Sequence, residues 1–168
     1  MDAREFIQQQ VAQAHDLCDG AMQDVTVEQF NWVPPGLANT VSATFMHIVG
    51  GEDMFIHTVL QGRPRLLDNA EWASKIGIES PGPGRGWEEF RTRTLPLEPV
   101  RAYEQAVRAD TESYLATLTA ADLDRKLNFA GRERTVGGVL VMLVGHILSH
   151  AGEIAALKGV QGCKGLPF

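Results

Sequence analysis

Two histidines near the end of the sequence, His146 and His150, lie four residues apart in a strongly apolar segment. If this segment is helical, side chains at that spacing lie one above the other on the same face, rotated by only about 40°. Two imidazoles held in this way can bind one metal ion from a rigid support. Imidazole suits Zn, Ni, Cu and Fe alike, so the spacing predicts a metal site without choosing the metal.

A third histidine, His47, lies midway along an earlier apolar segment and can complete a set of three imidazoles. Its helical neighbours are small: Ala43, Gly50 and Gly51. A glycine within a helix costs about 1 kcal/mol relative to alanine. The pair therefore requires a reason, either room for a cavity or the close approach of another helix. Three neutral imidazoles with an open position predict a catalytic divalent-metal site. The alternative is a set of core histidines that are satisfied by hydrogen bonds alone.

Glu153 follows His150 by three residues and shares its predicted helix face. It can accept a proton from a water molecule activated by the metal, orient a ligand, or bind the metal directly. The alternative is a solvated charge at the end of the helix. Asp110 interrupts the apolar stripe of a predicted third helix. It can contact a metal-ligating residue without binding the metal itself, although a surface position is the favoured interpretation.

The other histidines and Cys18 are predicted to have structural or peripheral positions. His57 is ten residues past His47, which rotates it by about 80° on a helix and predicts a surface or peripheral position. His15 flanks the apolar stripe of the first helix and is predicted to be structural. Cys18 lies on that stripe and is predicted to be a core residue. Cys18 and Cys163 do not form a disulfide framework, which favours a reduced, cytoplasmic setting, with a single bridge between them as the alternative.

Four long segments carry apolar residues at spacings of three and four, which indicates amphipathic helices of about 20 residues each. No alternating pattern of useful length predicts a strand. We therefore expect one all-α domain over residues 1–168, built as an antiparallel four-helix bundle. The residues that delimit the helices are Asp2 with Glu5, the breaking pair Pro34 and Pro35, Asn39 or Thr40, Leu60, Pro99, Thr135 and Gly159.

The connection between the second and third helices, residues 61–99, is the least regular part of the sequence. Residues 81–86 read Pro-Gly-Pro-Gly-Arg-Gly and predict a turn-rich loop, and residues 87–93 are compatible with a short helix. Connections this long often serve as lids or pocket walls, and the alternative is a solvent-exposed link.

Composition excludes several classes of function. The formal net charge of -6 argues against nucleic acid as a partner, because phosphate recognition relies on clustered Lys and Arg. The polar start lacks the pattern of a signal peptide, and no uninterrupted apolar run reaches the roughly 18–20 residues that span a bilayer. No phosphate-binding loop, Cys-x-x-Cys pair or Gly-x-Ser-x-Gly elbow is present in the sequence.

The order of several short motifs resembles the DinB-like superfamily of bacterial proteins. They are the segment Phe-Asn-Trp-Val-Pro-Pro at 30–35, the segment around His47 at 44–52, the segment 146–154, and the closing residues 158–159 and 165–167. Each motif is weak alone, and together they cover most of the chain. The resemblance implies an antiparallel four-helix bundle with a long connection between helices two and three.

The resemblance also implies a metal site formed by His47, His146 and His150, occupied by zinc or nickel, in a protein that forms homodimers. The sequence departs from the family pattern after His150. Ala151 and Glu153 stand where arginine and glutamine are common in the family. The resemblance therefore assigns no role to these two residues.

Characterised relatives in this superfamily include mycothiol-dependent maleylpyruvate isomerase and bacillithiol transferases. The resemblance thus implies a thiol S-transferase or a related detoxifying activity, with a low-molecular-weight thiol as cosubstrate. Two alternatives stay open. One is a metal-dependent hydrolase with Glu153 as the base, and the other is a stress-related protein that holds metal or a small ligand without turnover. The small-molecule substrate is not identified by the sequence.

Overall fold

The computed structural model describes residues 1–78, 91 and 93–166. The described chain is mostly helical, with a π-helix at Met54–Leu60 that directly continues α3, and 3-10 turns at Leu66–Asp68 and Ala121–Asp124. The α-helices are α1 (Ala3–Met22), α2 (Val27–Asn31), α3 (Val41–Asp53), α4 (Ala70–Ile76), α5 (Leu97–Thr117) and α6 (Val136–Val160), and the strands are β1 (Lys126–Phe129) and β2 (Arg132–Thr135).

Side-chain caps set the starts of three long helices, α1, α3 and α6, as the sequence predicts, whereas α5 begins after Pro96 without one. Asp2 accepts a hydrogen bond from the Glu5 backbone and Glu5 accepts one from the Asp2 backbone, which forms a capping box on α1. Thr40, and not Asn39, accepts the hydrogen bond that caps α3. Thr135 accepts a bond of 3.0 Å from the Gly138 N–H at the start of α6. These local interactions fix where the histidine-bearing helices α3 and α6 begin.

The all-α expectation is wrong in one respect, because β1 and β2 form an antiparallel hairpin between α5 and α6. Its turn places Ala130 at φ 53° and Gly131 at φ 74°, the left-handed pair that a tight two-residue hairpin needs. Each strand has only four residues and no fully buried side chain. β1 alternates polar and apolar residues over four positions only and β2 does not alternate, so neither strand leaves a pattern of useful length in the sequence.

The four long helices enclose one hydrophobic core, in which α6 packs against α1 and α3, and α5 packs against α3. The buried face of α6 includes Val139, Leu143, Ile147 and Ile154, all with no exposed surface. By length and composition α6 is apolar enough to cross a bilayer, a property that it shares with core helices of soluble proteins. The antiparallel four-helix bundle stays a prediction.

The connection between the π-helix and α5 is held near both of its ends by side chains. Asp53 accepts hydrogen bonds from the backbone N–H groups of Leu66 (3.0 Å) and Leu67 (3.1 Å). Asn31 donates to the Leu95 carbonyl (3.0 Å) and accepts from the Leu95 N–H (2.8 Å). The predicted loop at 81–86 and most of the predicted short helix at 87–93 lie outside the described residues.

Both cysteines are free, and we expect them to differ sharply in reactivity. Cys18 is 1% exposed, and burial raises the pKa of its thiol to about 12. Cys163 is only partly buried and accepts a hydrogen bond from Gln29. A chromogenic disulfide reagent should titrate one thiol in the native protein and two after unfolding, because the thiolate is the reactive form. Cys163→Ser should remove the native reaction, and two equally fast native thiols would contradict the burial of Cys18.

Candidate metal centre

The structure brings His47 of α3 together with His146 and His150 of α6. Each pair of imidazole rings has its centroids 4.7 Å apart. One potential ligand atom from each ring lies within 4.8 Å of the other two. All three side chains are half-buried, so the cluster lies at the edge of the core and not within it. The three predicted ligands therefore form one compact group.

This donor set fits a tetrahedral divalent ion. Zn–N bonds of about 2.0–2.1 Å place neighbouring nitrogens about 3.3 Å apart in a tetrahedron. The Nε2 atoms of His47 and His146 are separated by 3.1 Å. Within the described chain, Nδ1 of His146 is buried and has no hydrogen-bond partner. The Nε2 atom of this ring faces the other histidines, and no hydrogen bond within the described chain occupies its Nδ1 atom.

Burial and electrostatic repulsion favour the neutral, metal-coordinating form of His146 and His47. Burial, followed by repulsion from His47 and His150, lowers the pKa of His146 to about 4. Burial also lowers the pKa of His47, followed by repulsion from His150. A neutral imidazole offers a free lone pair, so two of the three nitrogens need no deprotonation at neutral pH to bind an ion.

Glu153 contacts the cluster through His150. Its Oε2 atom accepts a hydrogen bond of 2.8 Å from Nδ1 of His150, which leaves Nε2 of the ring for the centre. A carboxylate in this position fixes the tautomer and the orientation of a ligating histidine. Of the three roles that the sequence leaves open for Glu153, this contact favours the orienting one. The Glu153 side chain is 55% exposed, so it also remains accessible from solvent.

The centre has an open side. A pocket of about 250 Å³ is lined by Asn39, Thr44, His47, His150 and Glu153. Thr44 lies on α3 about one turn before His47, Asn39 directly precedes the N-cap Thr40, and the other side of the pocket is formed by α6. A small molecule entering this pocket reaches the histidines directly.

Gly51 explains how α6 comes close enough to α3. A Cβ atom at this position would lie 2.5 Å from Cε1 of His146, closer than real Cβ contacts allow. The sequence leaves two reasons open for glycine beside His47, and this contact identifies the close approach of another helix. The His146 ring occupies the space that a side chain at position 51 would fill.

We expect Gly51→Ala to displace the His146 ring and weaken metal binding at least tenfold, because the ring cannot keep its place beside a methyl group. Gly145→Ala is the matched control: it adds the same methyl group one residue before His146, where nothing lies within 4 Å. The control should retain full affinity and gain up to about 1 kcal/mol of helix stability. Metal titration of both variants measures the difference. Equal affinities would show that Gly51 does not position the ring.

The sequence-based placement of His57 is wrong. His57 is 1% exposed, and its two ring nitrogens contact Asp53 (2.5 Å) and Asp110 (3.1 Å). Asp53 also accepts a hydrogen bond from the Tyr103 hydroxyl. The π-helix changes the angular spacing on which the α-helical estimate relied. Asp110 accordingly supports His57 and is not among the residues of the histidine cluster.

A second buried network lies behind the centre. His15 contacts both carboxylate oxygens of Glu52 at 3.0 Å, and Glu52 accepts a hydrogen bond from Thr111. The structural role predicted for His15 fits this arrangement, which joins α1, α3 and α5. Glu52 directly follows Gly51, so the network also fixes the part of α3 on which His146 packs.

The structure is thus a mostly helical protein in which two packed helices carry three converging histidines, a donor set that can hold a metal ion. The family profile of the DinB superfamily matches residues 10–154, and the chain belongs to this superfamily. The resemblance stated from the motifs is thus confirmed.

A solved structure shows the same fold. The crystal structure of a conserved protein from Enterococcus faecalis is similar to this chain with a TM-score of 0.80 and 20% identity. The similarity covers 96% of this chain and 99% of the other. At this identity the likeness concerns the fold alone. No curated protein matches the sequence.

Proposed function

We propose that the protein is a divalent-metal-dependent enzyme, a thiol S-transferase or a related enzyme that removes electrophiles. The observation that carries the proposal is the group of three imidazoles, within 4.8 Å of one another and open to a pocket. Three nitrogen ligands with one accessible position are typical of catalytic divalent-metal sites. His47, His146 and His150 would hold zinc or nickel.

Each residue of the centre has a distinct task. A divalent ion bound there supplies a Lewis acid that lowers the pKa of a thiol or water in the remaining position. Glu153 holds the His150 ring through its Nδ1 hydrogen bond. Thr44 and Asn39 form the wall against which the second substrate would be oriented. A low-molecular-weight thiol is the proposed cosubstrate, and the electrophile is a small molecule.

A metal-dependent hydrolase is the second candidate. It is favoured by the exposure of the Glu153 carboxylate at the pocket, where a general base has to meet water. The hydrogen bond to His150 occupies one oxygen of this carboxylate and leaves the other for such a role. A non-catalytic protein that holds metal or a small ligand is the third candidate.

The proposed architecture, compartment, oligomeric state and partners of the enzyme rest on its composition and family. We propose a single-domain antiparallel four-helix bundle that acts in the cytoplasm as a homodimer, with neither nucleic acid nor membrane as a partner. Free cysteines support a reducing compartment, and the net charge of -6 supports the exclusion of nucleic acid.

The test follows the loss of an activated aryl halide, by absorbance, with metal-loaded protein and a panel of small thiols. Thiol-dependent loss that disappears with a chelator is the expected result. Glu153→Gln should lower the activity about ten- to a hundredfold, because the amide orients His150 poorly. Glu98→Gln, at an exposed position on α5, is the control. Thiol-independent cleavage of an ester would favour the hydrolase, and metal retention without turnover would favour the binding protein.

A further inference from the structure

An apolar groove adjoins the metal centre. It has a volume of about 400 Å³ and lies between the loop before α3 and the last turns of α6. Its apolar walls are Leu37, Ala38, Ala156, Leu157 and Val160. Its polar end consists of Asn39, Thr44 and Glu153, which also line the pocket at the histidines. The groove and the metal pocket therefore share one wall and form a continuous surface.

The rim of this groove exposes large apolar side chains. Leu37 is 92% exposed and Val160 is 68% exposed, and they lie on opposite sides of the groove. The loop that carries Leu37 is held in place by Arg91, which donates hydrogen bonds to the carbonyls of Ala38 (2.7 Å) and Gly36. Apolar surface gathered beside a polar site is typical of ligand-binding clefts.

Thr44 marks the point where the apolar groove meets the metal pocket. The residue is 2% exposed, and within the described chain its hydroxyl has no hydrogen-bond partner. Buried hydroxyl groups are normally satisfied, so an unpaired one at a pocket wall indicates a missing partner. A polar atom of a ligand seated between the groove and the histidines would supply it.

The charges along the groove define what kind of molecule fits. Among the described lining residues Glu153 is the only charged one, and it is engaged with His150. No described lysine or arginine lines either pocket, so neither offers a cationic partner to a phosphate or to a second carboxylate. The walls match an uncharged alkyl or aryl body.

We propose that this groove is the subsite for the apolar part of the substrate. The substrate class is a small amphiphile, with an alkyl or aryl body along Leu37, Ala156 and Val160 and a compact polar head at Thr44 and the metal centre. This deepens the proposed function and rests on it for the position of the head group. The body contacts are independent of the reaction that follows.

The test uses straight-chain alkyl hydroxamates of two to eight carbons, whose head groups bind metals, and measures their Kd for metal-loaded protein by calorimetry. Each methylene buried in the groove should lower the Kd about three- to fourfold until the groove is filled. Val160→Ser and Leu37→Ser should flatten this dependence and leave metal content unchanged. Val141→Ser is the matched control, since Val141 is an equally apolar residue of α6, 63% exposed and not part of the groove.

A parallel series of alkanols with metal-free protein, followed by ligand-observed NMR, separates the groove from the metal chemistry. The same chain-length dependence there supports the subsite even when metal binding or turnover fails. A Kd that is independent of chain length in the wild type overturns the proposal. The proposal is also overturned if Val160→Ser and Leu37→Ser lower the molar mass of the protein in solution and leave the chain-length dependence of the Kd unchanged. That result would assign the groove to contacts between two copies of the chain.

Discussion

His150→Ala is expected to abolish retention of the divalent metal and with it the thermal stabilisation that the metal confers. The variant removes one of three clustered imidazoles and leaves the others on different helices. An ion that binds only the native state at 1,000 times its Kd adds about 4 kcal/mol to the free energy of unfolding. For a chain of this size that corresponds to a Tm shift of about 8–16 °C.

The measurement combines elemental analysis of untagged protein with thermal unfolding in the presence and absence of a chelator. A chelator should lower the Tm of the wild type and leave His150→Ala unchanged. Ser149→Ala, at an exposed neighbouring position, serves as the control and should behave like the wild type. A wild-type Tm that does not respond to chelators or to added zinc and nickel would instead indicate a bundle with hydrogen-bonded histidines.

Asp53→Ala should cause the largest loss of stability that does not depend on metal. Asp53 has no exposed surface, and its carboxylate holds His57, Tyr103 and the backbone of Leu66 and Leu67. Removing one partner of such a buried network leaves the others unpaired, which costs about 3–5 kcal/mol. The expected fall in Tm is roughly 6–20 °C.

Denaturant unfolding with a chelator present isolates this effect from the metal centre. Glu71→Ala is a suitable comparison, because Glu71 forms an exposed pair with Lys75 on α4 and its removal should barely change the transition. If Asp53→Ala unfolded within about 1 kcal/mol of the wild type, the network around His57 would not be the anchor that its contacts indicate.

Features that depend on nearby residues were predictable from the sequence. The capping box at Asp2 and Glu5 and the cap at Thr135 require only a few adjacent positions. The grouping of His146 and His150 follows from helical spacing alone. His47 was predictable for a related reason, since small residues beside a histidine in an apolar helix indicate either a cavity or a close neighbouring helix. The neighbouring helix is α6, whose His146 ring lies against Gly51.

Features that depend on tertiary partners were not predictable. His57 is buried because Asp53 and Asp110 contact both of its ring nitrogens and because a π-helix changes its direction. Neither cause leaves a periodic signal. The hairpin was not predicted for another reason. Its turn is Ala130-Gly131, which lacks the Asn-Gly or Asp-Gly signature of such turns. Which oxygen of Glu153 meets His150 likewise depends on the folded geometry.

The two side-chain clamps at Asp53 and Asn31 bear on how this protein can diversify. They hold the chain at Leu66–Leu67 and again at Leu95, and between these points Ile76 and Ile78 are buried in the core to which the histidine-bearing helices also contribute. Doubling the length of a connecting segment costs only about 0.6 kcal/mol in closure entropy. We therefore expect that selection, or an engineer, can lengthen the connection between Ile78 and Arg91 while His47, His146 and His150 keep their geometry, provided that these two anchoring residues are retained.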